Sequence, residues 1–274
     1  MLRKLLAVLA CLAVVLIIPP AAQADDTTCG VIAAGTHDNV IVPEGAFCLI
    51  QGPGTVIKGN VTAFPRSSLL IQGGVEVHGN VIGLADSLVR LHAGLPIENI
   101  VRGNVLGDKV DGLELQFVGN VVHGDIHVTG RGVVPLTEAD IGVHVCGARL
   151  LNGSIEVEKM TISRFIRLDN GYCSAPNFLD KGGIKVVENH VPPGVEGLWI
   201  GQAQIASGNL QVFKNTGGGP KTVVGNNVAT GEIQCYENDP PFVGGPNMGK
   251  APKSVPVFMM PLTTAPNQCS GTSM

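Results

Sequence analysis

Aromatic side chains are scarce in this chain, making up 4% of its 274 residues, with one tryptophan and two tyrosines. Sugar-binding platforms usually present several aromatic faces, whereas Trp199, Tyr172 and Tyr236 are scattered, which argues against a tight neutral-glycan module. Charge is sparse too, at 15%, and lacks a basic excess, the formal net charge being −4. Without a positive field, nucleic acid is not an expected partner. Helical periodicity is missing beyond the first 24 residues, and no later apolar run is long enough to cross a bilayer. Neither a Cys-x-x-Cys pair nor the Cys/His spacing of a zinc site occurs. What the chain does have is 37 glycines, with Val, Ile and Leu in short runs broken by Gly, Asn and Pro. Short strands separated by turn residues are an all-β pattern.

The N-terminus reads as a secretory signal: Arg3 and Lys4, an apolar stretch from Leu5 to Ile18, and Ala-Gln-Ala at 22–24 before the expected cut. Cys11 sits inside the apolar run rather than at its end, so it is expected to leave with the signal instead of carrying lipid. Cleavage removes two of 18 basic residues and none of 22 acidic ones, so the net charge goes from −4 to −6. The expected destination is extracellular or periplasmic. Six cysteines then remain, and an even count in an exported chain favours disulfides. Neighbour pairing is the simplest of about fifteen connectivities: Cys29–Cys48, Cys146–Cys173 and Cys235–Cys269.

Internal repetition selects the architecture. Thr-Val-Ile-Lys-Gly-Asn-Val at 55–61 returns as Val-Glu-Val-His-Gly-Asn-Val (75–81), Asn-Ile-Val-Arg-Gly-Asn-Val (99–105) and Asn-Val-Val-His-Gly-Asp-Ile (120–126). The residue after the glycine is Asn60, Asn80, Asn104 and Asp125, with weaker copies at Ser154, Asn209 and Asn227. The intervals are 20, 24, 21, 29, 55 and 18, the 55 standing for two periods with one turn unrecognised. A period of 20–29 matches one coil of a parallel β-solenoid, whereas a propeller blade needs about twice that. Stacking would place Ile57, Val77, Val101 and Val122 in one core row. Glycine would then serve the tight bend, and Asn a left-handed corner with a side-chain ladder. The expectation is an all-β, single-domain parallel β-helix, right-handed, with disulfide-stapled ends. The signal would be 1–24, the β-helix 25–238, and 239–274 a Pro-rich irregular tail folded over the last coil. An insertion near 130–180 would be clasped by Cys146 and Cys173. The sequons at 60–62 and 152–154 are read as repeat residues.

The segments GNVT (59–62), VHGNV (77–81), SGNLQVFKNTGG (207–218), VATGEIQCYENDPP (228–241) and NQC (267–269) resemble a group of bacterial secreted proteins with Gly-Asn-Val repeats. That group is generally taken to have a parallel β-helix architecture similar to the pectin-lyase-like superfamily. The resemblance implies this fold and export but no reaction, and Glu232 stands where the group has a ladder Asn. The marks of β-helix enzymes are missing. No Asn-Thr-Asp, Asp-Asp, Gly-His-Gly or Arg-Ile-Lys element of polygalacturonases is present. Gly201 and Gln202 stand where the Asp and His of a pectate-lyase Trp-Ile-Asp-His element would be.

Three constellations are candidates for function. Lys58, His78, Arg102 and His123 would form a basic column along the solenoid, suited to successive carboxylates or sulfates of an acidic polysaccharide or cell-surface glycan. His123, Asp125 and His127 could converge as an acid/base or transition-metal set. Asp108, Asp111 and Glu114 could hold Ca2+, against the plainer reading of a polar turn. The first expectation is a binding solenoid that is not an enzyme and needs no cofactor. The alternatives are a polysaccharide lyase or hydrolase with an atypical site, and a self-associating envelope protein.

Overall fold

In the computed structural model the described residues are 26–94, 97–116, 119–130, 142–161, 165–168, 173, 175–192, 197–217, 223–225, 227–239, 242–244, 247–250 and 269. The signal segment and most of residues 251–274 lie outside them, as do the insertion residues 131–141 and 169–172 and, with them, Tyr172. Among the described residues there are 29 strands and no helix, and 27 of the strands join one hydrogen-bonded network. Every inter-strand pairing in that network is parallel, except for one isolated antiparallel bridge between Gly94 and Ile97. The chain is a parallel β-solenoid with three faces.

Each coil contributes a strand to each face. Asn39–Val42, Val61–Ala63, Val81–Gly83, Val105–Asp108, Ile126–Thr129, Ile155–Glu158, Ile184–Val187 and Leu210–Phe213 stack on the first face. Ser68–Gln72, Leu88–His92, Gly112–Gln116, Val143–Val145, Phe165–Leu168 and Gly197–Gly201 stack on the second. Glu76–Val77, Asn99–Val101, Asn120–Val122, Ala148–Leu150, Phe178–Leu179 and Gln204–Ile205 stack on the third. The long strand Phe47–Ile57 bends from the second face to the third.

Alternation within each strand puts one set of side chains inside. Ile57, Val77, Val101 and Val122 are in register, and the row continues through Leu150, Leu179 and Ile205. All seven are 0–2% exposed. Burying one such side chain fully is worth about 1.5–3 kcal/mol, so these rows are the main source of stability. The three disulfides follow the neighbour pairing, Cys29–Cys48, Cys146–Cys173 and Cys235–Cys269, all with buried sulfurs. The first and last of them staple the two ends.

The solenoid begins within its expected N-terminal limit, where Asp26–Thr28 pairs with Asn39–Val42, and runs past the expected C-terminal one. Beyond 238, Val243 pairs with Val223, Met248 with Val228 and Lys250 with Glu232. The turn hidden in the 55-residue interval is Gly183, 29 residues after Ser154, whose N–H donates to the Ser154 hydroxyl. Asn227 is not a corner of this kind; the corner after Asn209 belongs to Glu232, whose N–H donates to Asn209 Oδ1.

The Gly-Asn corner works differently from the expectation. Neither Gly59, Gly79, Gly103 and Gly124 nor Asn60, Asn80 and Asn104 have positive φ. The glycines are required because successive backbones nearly touch there: a Cβ on Gly79 would lie 2.4 Å from the Gly59 carbonyl oxygen. Each Asn Oδ1 accepts the backbone N–H of the next corner residue, Asn80 to Asn60, Asn104 to Asn80 and Asp125 to Asn104, all at 2.8 Å. The left-handed corner lies elsewhere, between the first and second faces. It is built from non-glycine residues such as Lys109, Lys159, Glu188, Lys214 and Glu237, with φ of 52–56°. Short exposed side chains would be the usual choice for that conformation, and nothing in the structure explains the preference for charged ones.

Candidate functional site

The basic column forms. Backbone N–H groups of His78, Arg102 and His123 donate to the carbonyls of Ile57, Val77 and Val101 on the preceding coil. These bonds place Lys58, His78, Arg102 and His123 in line at the edge of the third face, one coil spacing apart, about 4.8 Å. Lys58, His78 and Arg102 are exposed and His123 is half-buried. The column ends at the next coil, where Leu151 and Asn152 both fill the gap between strand and Gly153.

The column is not purely positive. Glu76, on the outward side of the same face, accepts from Arg102 Nε at 2.6 Å and lies 3.1 Å from His78 Nε2. The Arg102 hydrogen bond, against a smaller cost of burial, holds the Glu76 carboxyl below the usual range. The Arg102 side chain remains 52% exposed, and pairs of this kind are worth about 0–1 kcal/mol. An incoming carboxylate can therefore exchange for Glu76 at little cost.

The other two constellations do not assemble. His123 follows the third-face strand Asn120–Val122, Asp125 is the exposed corner residue, and His127 lies within the first-face strand Ile126–Thr129. Asp125 acts in the ladder, accepting the Ser154 N–H at 2.8 Å. Asp108 ends a first-face strand, and Asp111 sits in the following turn, its carboxyl pushed up by burial and by Asp86. Glu114 belongs to the second face. A corner divides each trio, so residues close in sequence are parted between faces. Among the described residues, the only group of three His, Cys, Asp or Glu side chains with metal-ligand spacing is His144, Cys146 and Cys173.

A cluster that sequence reading missed lies on the outward side of the second face. Register aligns Arg90, Glu114, His144, Arg167 and Trp199 coil upon coil. Arg90 Nε donates to Glu114 Oε2 at 2.9 Å, and His92 Nε2 stands 3.7 Å from the same oxygen. The Arg167 guanidinium lies over Trp199, 4.6 Å from the ring centre, and 5.9 Å from that of Phe165. His144 meets Phe165 edge to face at 6.0 Å. These residues are 24, 30, 23 and 32 apart. The repeat interval, applied to charged residues instead of to the Gly-Asn motif, would have found the first of them. Beside this cluster an open groove of about 740 Å³ runs across the coils, its polar lining supplied by Gln51, Gln72 and His92.

Burial opposes ionisation of Glu114, but His92, Arg90 and His144 together bring its carboxyl below the usual range. A carboxylate held lower in the folded than in the unfolded chain stabilises the fold above the unfolded value, about 4.3. That contribution disappears as pH falls through the folded value. Glu114→Gln is thus expected to cost about 1–2 kcal/mol at pH 7, discounted from a fully buried pair because Arg90 is one-third exposed. Urea unfolding at pH 7 and pH 3 checks this: the difference between the two chains should shrink at the lower pH.

Comparison with known protein families, with curated proteins and with solved structures returns no match.

Proposed function

We propose that this chain is an exported solenoid that binds an extended acidic polysaccharide of an extracellular surface, without cleaving it. The observation that carries this reading is the alignment of Lys58, His78, Arg102 and His123 at one-coil spacing on an otherwise acidic chain. A rigid row of cations meets a polyanion with a matching repeat at small entropic cost, because the row is preorganised. The N-terminal segment and the three disulfides support an oxidising destination outside the cytoplasm. No helix among the described residues is long and apolar enough to cross a membrane.

The test is the size distribution of alginate, pectate and hyaluronan before and after incubation with residues 25–274. Intact polymer co-eluting with the protein is the expected result. The double substitution Lys58→Gln with Arg102→Gln should weaken that association roughly tenfold or more, as charge-assisted hydrogen bonds are each worth about 1.5–3 kcal/mol. Shortened polymer would instead establish an enzyme. Binding that ignores both substitutions would remove the column from the account.

A further inference from the structure

One ring nitrogen of His144 lies within 4.8 Å of both sulfurs of the Cys146–Cys173 disulfide, and all three residues are buried. The fold brings them together and the sequence does not advertise them, since they occupy the positions His-x-Cys and, 27 residues on, a single Cys. His144 is fixed by its place in the strand Val143–Val145, between Glu114 and Arg167 on neighbouring coils. Cys146 is fixed by its N–H, which donates to the Leu115 carbonyl at 3.0 Å.

We propose that reduction of the Cys146–Cys173 disulfide converts this cluster into a zinc site with His144 as third ligand. Donors around a tetrahedral zinc, with Zn–S near 2.3 Å and Zn–N near 2.0–2.1 Å, stand roughly 3.4–3.8 Å apart. The His144 nitrogen already lies within 4.8 Å of both sulfurs, and the two sulfurs, bonded to each other in the oxidised protein, would have to part from about 2 Å to that donor separation once reduced. A dithiol supplies two electrons and two protons, leaving as its own disulfide and producing two thiols. Zn2+ then displaces both thiol protons while neutral imidazole donates a lone pair. Two thiolates offset the metal's charge, so the complex is neutral at the protein ligands and suits a buried position. Glu114 is held by Arg90, which leaves the fourth position to water. Two sulfurs and one imidazole nitrogen select a soft or borderline metal over the calcium that an oxygen-rich site would take.

Equilibrium dialysis against Zn2+ with metal analysis tests this on residues 25–274, oxidised and after treatment with a phosphine reductant that does not chelate. One zinc per chain in the reduced protein and none in the oxidised protein is expected, with the β-sheet circular-dichroism signal kept in both. His144→Gln should weaken uptake at least tenfold, and Cys146→Ser should abolish it. Cobalt(II) loaded into the unsubstituted reduced chain gives a reading that needs no variant, a thiolate-to-metal charge-transfer band. Failure of that band to appear, zinc uptake unchanged by His144→Gln, or loss of the sheet signal on reduction alone would each overturn the proposal. Uptake that persists in Cys146→Ser would assign the metal to another cysteine pair and overturn it equally.

Discussion

Replacing Gly79 by alanine is expected to destabilise the solenoid by about 3 kcal/mol or more, the upper end for overpacking a well-packed site. The added Cβ would lie 2.4 Å from the Gly59 carbonyl oxygen and 2.6 Å from its carbonyl carbon. These are backbone atoms, so no rotamer change can relieve the contact. The coil would have to part from its neighbour at the point where Gly79 N–H donates to Gly59 O at 3.0 Å. The loss should be a steric one, since φ at this glycine is not positive. Alanine at Gly45, where φ is +70° and nothing lies within 4 Å, makes the contrast. Strain there is conformational, about 1–2 kcal/mol. Urea unfolding of both variants separates the two causes: Gly79→Ala should lose clearly more, and equal losses would mean that close approach does not matter at the corner.

Asn215→Leu should cost about 3–5 kcal/mol, although leucine is more apolar and the site is 4% exposed. Asn215 Oδ1 accepts both the N–H and the side-chain amide of Asn189, at 3.1 and 2.9 Å. Its own amide donates to the Val186 carbonyl and to Asn238 Oδ1, each at 2.9 Å. Leucine would strand these groups in the interior, where water cannot replace the lost partner. The outer ladder gives the control. Asn80 accepts the Asn104 N–H at a half-buried corner where solvent can substitute. Asn80→Ala is expected to cost about 1 kcal/mol, as for the loss of a helix cap. Thermal unfolding of the two variants should therefore rank them in that order, and a reversed order would refute the distinction between inner and outer ladders.

The inner ladder shows why the fold was more legible than the site. Asn189, Asn215 and Asn238 recur at 26 and 23 residues, as regularly as the outer row. They lack the Gly-Asn signature that made the outer row visible. A second buried ladder links Asn99 to Asn120 through a side-chain hydrogen bond of 3.1 Å, and Asn227 to Asn247 at 3.0 Å. Asn227 belongs to this row and not to the Gly-Asn corner, because the Gly-Asn step alone does not specify which of the three corners an asparagine serves. The same ambiguity undid the acidic trio. Asp108, Asp111 and Glu114 look contiguous, but a corner lies between them, and Glu114 turns to Arg90 on the neighbouring coil.

By itself the sequence determined the period, and with it the stack. Val, Ile and Leu at one-coil intervals can be buried only by lying on their counterparts, and a Gly-Asn step recurring every 20–29 residues keeps the coils in phase. Those two facts were enough to set the core row from Ile57 to Val122 and the basic column beside it, while the neighbour pairing of the cysteines rested on being the simplest connectivity. Tertiary structure decided everything that depends on which face a residue occupies. Coil lengths here vary, so the distance from a corner to the next strand cannot be counted from the motif alone, and one uncounted residue sends a side chain to the opposite side of its strand. Arg167 reaches Trp199, 32 residues on, only because coils of unequal length return their second-face strands to the same register. That closure is set by packing between coils, and no local property of the sequence records it.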